Sequence, residues 1–260
     1  MWQSQLDQVY IEANSTNAGA AVQNQAAADN GAEETKQTTP AGDKATWYQG
    51  SVQYWDEQPA TVDGVLGGYE SIHEVESDTS RSMINTFKNM MPAMDSALDC
   101  GAGIGRISKY VLIPEFSNVD LLEPSTTQIN EARNYCPGVR SFYHKGLQEH
   151  VFDTKYDAIW IQWVLCYLTD NDIAELLNKA RETGLTRDEA NGKSGLIFVK
   201  ENVHAGTFLL DKSDNSVMRT HDQFTAIFQD VGYTILQDRV QRGMPEELHH
   251  IRCYVLKPNY

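Results

Sequence analysis

Ala97-Leu98-Asp99-Cys100-Gly101-Ala102-Gly103-Ile104-Gly105-Arg106 reads as a short apolar strand that breaks into glycine at every second position. Ile107 to Ile113 continues it as a helix, and Pro114 stops that helix. A strand, a glycine turn and a helix in that order build a ligand-binding crest at the carboxyl end of a first parallel strand. The spacing is not the dinucleotide fingerprint: Gly101 and Gly103 fit, but Arg106 stands in the third glycine's place and Gly105 falls one residue early. No Gly-Lys-Ser or Gly-Lys-Thr follows, so a Walker A loop is excluded. The D-x-G-x-G-x-G form instead lets backbone approach the amino-acid part and ribose of S-adenosylmethionine, a ligand without phosphate. Glu123, 18 residues past Gly105, ends the next strand, where a carboxylate accepts hydrogen bonds from ribose hydroxyls.

Outward from this loop the chain alternates strand and helix. Val119–Glu123 is the second strand and Thr126–Cys136 a helix closed by Pro137-Gly138. Tyr143 marks a weak third strand. Tyr156–Ile161 is apolar on both faces and is therefore expected to be central. Thr169 to Asp172 opens a helix as a capping box, Gly195–Lys200 is a fifth strand, and Thr220 with Gln223 caps a further helix ending at Gly232. Tyr233–Val240 and His250–Leu256 read as a closing antiparallel pair. Helical stretches of about ten residues between strands imply βαβ units and a mainly parallel sheet. Upstream, Arg81–Met91 reads as a helix, and the cluster Trp47, Tyr48, Tyr54, Trp55 marks where folded protein begins. Residues 1–46, rich in Ala, Asn, Gln, Thr and Gly, are expected to be a disordered tail, since Asn14–Asp43 has no apolar periodicity. Trp2, Leu6, Val9 and Tyr10 have partial helical spacing that either docks or frays. The domain expected is 47–260, with 47–92 a helical element on the substrate side and 93–260 the Rossmann-like core.

The chain has 260 residues and a net charge of −15, from 21 Lys plus Arg against 36 Asp plus Glu. Such a balance argues against nucleic acid and anionic lipid as main partners and favours a cationic one. The first 46 residues contribute −4, so −11 belongs to the folded body. No window near 18 apolar residues occurs, and the N-terminus lacks a basic start and an apolar stretch, so a soluble protein of the cytoplasm or nucleus is expected. Cys100, Cys136, Cys166 and Cys253 are far apart without a C-x-x-C pair, so neither a disulfide framework nor a zinc site is expected. His249 and His250 are adjacent on a strand and would face opposite ways, which argues against a shared metal; His204 and His221 are expected at the surface.

Several strings are specific enough to carry a resemblance: Tyr54-Trp55, Thr61-Val62-Asp63-Gly64-Val65-Leu66-Gly67-Gly68-Tyr69, the glycine loop, Gly146-Leu147-Gln148, and Ile159-Trp160-Ile161-Gln162-Trp163-Val164. Together they resemble the eukaryotic protein N-terminal α-amine methyltransferases, from about residue 50 to the C-terminus. The resemblance implies a class I methyltransferase fold, an α/β seven-stranded mainly parallel sheet with an N-terminal helical extension and a β-hairpin over the active site. It implies methylation of the free α-amine of proteins that begin X-Pro-Lys or X-Pro-Arg after Met removal, with S-adenosylmethionine as cofactor and no metal. Cofactor contacts are implied for Gly101, Arg106, Glu123, Leu147, Gln148 and Gln162, beside the Gly103 of the loop itself. A peptide channel is implied at Leu66, Gly67, Trp163, Asn202, Asp211, Asp214 and the Leu248 region. Tyr167 stands where the family usually has a histidine, and an unperturbed phenol titrates near ~10, too high for a base at neutral pH.

Amine methylation needs a neutral nucleophile aligned with the methyl group. Asp211 and Asp214, three residues apart, would meet a cationic N-terminus and a following Lys or Arg; Asn202 would accept from the amine, and Tyr167 would orient it or a water. Asp214 before Asn215-Ser216 also has the look of a turn cap. Two other functions fit the same fold: methylation of a small molecule or side chain, and a cofactor-binding scaffold without catalysis.

Overall fold

The computed structural model describes residues 41–260, and the expectations for the first 40 residues lie outside it. Helix α1 spans Ala41–Glu57, so the expected boundary at residue 46 falls inside a helix. Composition hid its first turns, because Ala-Gly-Asp-Lys carries no apolar stripe. Among the described side chains the docking face runs from Lys44, at positions i, i+3, i+4 and i+7. Lys44 Nζ reaches Asp172 Oδ1 at 2.6 Å, Trp47 Nε1 donates to the Tyr167 carbonyl at 2.8 Å, the Tyr48 hydroxyl donates to Asp172, and Ser51 is buried. After the turn Val62–Val65, helix α2 runs His73–Phe87. It starts eight residues before the expected Arg81 and ends in a tight 3₁₀ turn at Lys88–Met90.

The core is one seven-stranded sheet. In chain order its strands are β1 (Ser96–Cys100), β2 (Asn118–Leu122), β3 (Ser141–Tyr143), β4 (Ala158–Gln162), β5 (Leu196–Val203), and then, after a separate hairpin of β6 (Phe208–Asp211) and β7 (Ser216–Arg219), β8 (Tyr233–Val240) and β9 (His250–Pro258). The spatial order is β8-β9-β5-β4-β1-β2-β3, with β9 antiparallel to both neighbours. The βαβ crossovers use helix α3 (Thr126–Tyr135), helix α4 (Asp170–Lys179) and helix α5 (His221–Asp230). The segment after the glycine loop winds wide, as a π-helical turn over Ser108–Leu112.

β4 lies at the centre, and its side chains alternate between two cores. Ile159 and Ile161 pack with Ile197, Val199 and the α4 and α5 residues Leu176 and Phe224. Trp160, from the opposite face, packs with Phe198, Leu121 and the α2 residues Met83 and Ile84. Burial on both faces is why this strand carries no polar alternation. The capping pair Thr220 and Gln223 forms both reciprocal bonds, at 3.1 and 2.8 Å. At α4 only half of the expected box forms: Thr169 Oγ1 accepts from the Asp172 amide, while the Asp172 carboxylate takes the Tyr48 hydroxyl and Lys44 instead. All four cysteines are free.

Candidate active site

Parallel strands open a crevice at their carboxyl ends, and here it holds a cavity of about 520 Å³, within the range of small-ligand sites. The glycine loop forms its floor. Gly101 and Ala102 donate their amides to the Leu122 carbonyl at 2.8 and 3.2 Å, tying the loop to the end of β2. Gly101 has φ 64°, and a Cβ there would sit 2.5 Å from Val164 Cγ2; at Gly105, φ 81°, it would sit 2.2 Å from Cys136 Sγ. Both positions require glycine for backbone conformation and for space.

Acids at three strand ends brace the loops around the cavity. Asp99 Oδ2 accepts from the Ser108 amide and hydroxyl, at 2.9 and 2.7 Å, and so caps the helical segment after the loop. Glu123 accepts from Ser125 N at 2.8 Å and, through its other oxygen, from Gly103 N at 2.9 Å. Glu201 Oε1 accepts from Val164 N and Leu165 N at 2.8 and 2.7 Å. Burial pushes all three up, Asp99 to about 6 and Glu123 and Glu201 each to about 7, against the amide donors that pull them down.

The opposite wall is the turn after β4. Trp163 adopts φ 54°, costly for a bulky residue at about 1–3 kcal/mol. Its amide donates to the Lys200 carbonyl at 2.9 Å, the Arg106 guanidinium lies 5.9 Å from its ring centre, and Glu201 clamps the next two amides. Next along the wall, the Tyr167 hydroxyl donates to Asp214 Oδ2 at 3.2 Å and accepts from the Trp55 indole. Burial first, and then the charge of Asp211, raises the Asp214 carboxyl above its ordinary range. Burial drives the Tyr167 phenol well above 10, so it holds its proton at neutral pH.

Gly101, Gly103, Arg106, Glu123, Leu147, Gln148, Gln162, Trp163 and Tyr167 all line the cavity. Asp214 touches it through Tyr167, and its other oxygen accepts from Ser216 N at 3.0 Å, so it is also the turn cap that its sequence context suggests. Asp211 is exposed and holds the Ser213 amide and hydroxyl; its charge and that of Asp214 both raise the Tyr54 phenol, after burial. Leu66, Gly67 and Asn202 lie outside the cavity wall: Leu66 is buried, Gly67 is exposed at φ 61°, and Asn202 is half-buried opposite Ile251. Leu248 lines a separate hollow with His204 and His249. His221 is not a free surface residue: it stacks on Tyr254 and sits 3.3 Å from Asp238 Oδ2.

Sequence reasoning missed α1 as a wall, where Tyr48, Val52, Trp55 and Asp56 face the cavity. It also missed Glu76 and Lys200. The signal available was Lys200-Glu201 at the end of the otherwise apolar run Leu196-Ile197-Phe198-Val199, two buried charges on a central strand.

The residues fit S-adenosylmethionine. Gln162 Nε2 and Trp163 Nε1 are buried in the wall with no hydrogen-bond partner among the described residues, two donors waiting for acceptors. Beside them lie the carboxylate of Glu123 and the cation Arg106. No group of three or more His, Cys, Asp or Glu among the described residues is arranged to hold a metal ion, and no described helix is long and apolar enough to cross a membrane.

Sheet order, glycine crest and cavity define a class I S-adenosylmethionine-dependent methyltransferase. A solved S-adenosylmethionine-dependent methyltransferase of Leishmania major superposes with a TM-score of 0.75 at 34% identity, covering 81% of this chain and 83% of that one. Magnesium protoporphyrin IX methyltransferase of Synechocystis PCC 6803, with bound S-adenosylmethionine, shares the fold at a TM-score of 0.58 and 14% identity, over 86% of this chain and 100% of that one. Residues 43–257 match the family described as AdoMet-dependent proline di-methyltransferase, and the chain belongs to it. Among its relatives are alpha N-terminal protein methyltransferase 1 of Dictyostelium discoideum, 38% identical over 81% of this chain and 79% of that one, and N-terminal Xaa-Pro-Lys N-methyltransferase 1 of Homo sapiens, 34% identical over 83% and 97%.

Proposed function

We propose that this enzyme methylates the free α-amine of protein N-termini that read X-Pro-Lys or X-Pro-Arg after Met removal. The observation that carries this reading is a half-buried carboxylate of raised pKa, Asp214, joined through Tyr167 to the wall of the cofactor cavity. S-adenosylmethionine supplies a methyl group on a sulfonium, and its transfer leaves the thioether S-adenosylhomocysteine. The remaining work falls to the chain. An α-amine titrates near about 8 against about 10.4 for a lysine, so a carboxylate lifted by burial is a sufficient proton acceptor for it. Tyr167 keeps its proton and serves as a positioning residue: it accepts from Trp55 and donates to Asp214, which fixes the carboxylate and favours its ionised form. On this reading Asp214 is the base, where the family resemblance would place a histidine at position 167. Trp163 offers an aromatic wall suited to a proline ring, and the acidity of Asp211 and the folded body suits the following Lys or Arg.

Leu66, Gly67, Asn202 and Leu248 belong to the same proposal as the outer peptide channel, beyond the cofactor cavity. Free thiols and a cationic protein substrate agree with a protein of the cytoplasm or nucleus whose partners are peptide N-termini rather than nucleic acid or membrane. The test uses the enzyme with S-adenosylmethionine and three peptides, beginning Ser-Pro-Lys, N-acetyl-Ser-Pro-Lys and Ser-Pro-Gln, followed by mass. Only the first should gain methyl groups efficiently. Methylation of the acetylated peptide would overturn α-amine specificity, and no reaction on any of the three would favour a non-catalytic scaffold.

A further inference from the structure

Beneath the cavity lies a buried ionic cluster that no step above uses. Glu76, on α2, is fully buried and bonds two cations: one oxygen accepts from Arg106 Nη1 and the other from Lys200 Nζ. Ser77 and Ser80 complete it, at 3.5 Å from Arg106 Nη1 and 3.0 Å from Lys200 Nζ. Burial would raise the Glu76 carboxyl, but the Lys200 and Arg106 charges outweigh it and hold it at about 2. Such a cluster is expensive to bury and is weak evidence for stability as such, which directs attention to what it holds in place.

Both residues that Glu76 holds reach Trp163, Arg106 through its guanidinium and Lys200 through its main chain. Lys200 accepts the Trp163 amide on its carbonyl, and Arg106 lies over the Trp163 ring while lining the cavity. The side-chain hydrogen bonds of Arg106 among the described residues, including that to the His73 ring at 3.4 Å, are made by Nη1, the nitrogen turned toward α2. One carboxylate from the N-terminal helical element therefore fixes a cation of the glycine loop and the strand end that supports a left-handed Trp163.

We infer that Glu76 is a positioning residue for the amino-acid end of the cofactor, acting through Arg106 and Lys200. Glu76 fixes one edge of the guanidinium, so that the cofactor's carboxylate meets a cation already oriented and not one free to turn. Fixing a charged partner in this way accounts for roughly tenfold in affinity. The inference rests on the amino-acid end of the cofactor lying against Arg106.

The test compares two ligands by calorimetry on the full chain: S-adenosylhomocysteine, and methylthioadenosine, which keeps the purine, ribose and sulfur but lacks the amino-acid end. The parent should prefer S-adenosylhomocysteine by at least about tenfold. Glu76→Gln should weaken S-adenosylhomocysteine by roughly tenfold or more and methylthioadenosine by less than about twofold. Glu76→Asp, shorter but charged, should fall between. Because Glu76→Gln leaves Lys200 buried without a counter-ion and risks misfolding, Glu76→Gln/Lys200→Met is made alongside; it should regain thermal stability without regaining the preference. A folded single or double variant that keeps the parental ratio overturns the role of Glu76. A parent that binds both ligands alike overturns the placement of the amino-acid end at Arg106, a separate failure that leaves peptide methylation to be judged by its own assay.

Discussion

Asp214 and Tyr167 share a single hydrogen bond, and its direction sets what each can do. The phenol donates, so it stabilises the ionised carboxylate; burial and Asp211 push the other way and leave the Asp214 carboxyl raised. Activity at the amine then requires Asp214 to be ionised, and kcat/KM for a Ser-Pro-Lys peptide should rise with pH along a limb above the usual carboxylate range of about 3.9. Tyr167→Phe removes a bond to the ionised form, so the Asp214 pKa moves up and the limb shifts to higher pH, with a loss of turnover at neutral pH smaller than that of losing the carboxylate. Asp214→Asn should abolish the limb and lower kcat by about 10²-fold, with S-adenosylhomocysteine affinity unchanged. A pH profile that stays put in Tyr167→Phe, or an Asp214→Asn enzyme of parental turnover, would remove Asp214 from the reaction.

Helix α1 is the element whose role goes furthest beyond its sequence. The strands of the sheet and the helices from Ser96 onward were legible because they carry their own signals: two-faced apolar runs, a glycine turn, caps at Thr169 and Thr220. The early turns of α1 carry none, since their stability comes from contacts with residues about 120 positions away in α4 and the Tyr167 turn. For the same reason the pairing of Glu76 with Lys200, 124 residues away, was not legible, although Lys200-Glu201 ending an apolar run was itself a signal, whereas the cofactor-side residues were readable from one compact motif and its spacing. The hairpin of β6 and β7 came only from the family resemblance, because Phe208-Leu209-Leu210 shows no clean alternation and Leu209 is 42% exposed. Trp47 is the anchor of α1, buried to 3% exposure with its indole on the Tyr167 carbonyl. Trp47→Ala should loosen α1 without unfolding the sheet. Hydrogen exchange should then show faster exchange over 44–57 with β1, β4 and β5 still protected, and S-adenosylhomocysteine should bind more weakly because one wall of its cavity is lost. Unchanged protection across α1 would mean the helix is held by its other contacts alone.

Across the whole molecule, the net charge of −15 has a local counterpart in the buried acids Asp99, Glu123 and Glu201 at the ends of β1, β2 and β5. Each has its folded pKa raised by burial above its unfolded value, to about 6, 7 and 7. The folded state therefore binds these protons more tightly than the unfolded chain does. Their contribution to stability is fully present below about pH 4, and it is lost as pH rises through 6 to 7. His150, fully buried with neither ring nitrogen hydrogen-bonded among the described residues, opposes this. Burial lowers it to about 4, so its contribution is complete above about 6.5 and disappears as pH falls through 4. His150→Phe should thus leave stability more steeply falling with pH between about 4 and 6.5 than in the parent. The cofactor separates the acids from the histidine. S-adenosylmethionine carries a sulfonium cation that S-adenosylhomocysteine lacks, so the positive charge gains from each carboxylate that ionises around it. In thermal melts from about pH 5.5 to 8, the stabilisation by S-adenosylmethionine relative to S-adenosylhomocysteine should grow with pH, steepest near 6 to 7. A difference flat across that window would mean that the three carboxylates are already ionised before the cofactor binds, and that the braced loops around the cavity, rather than its charge, set the preference between the two ligands.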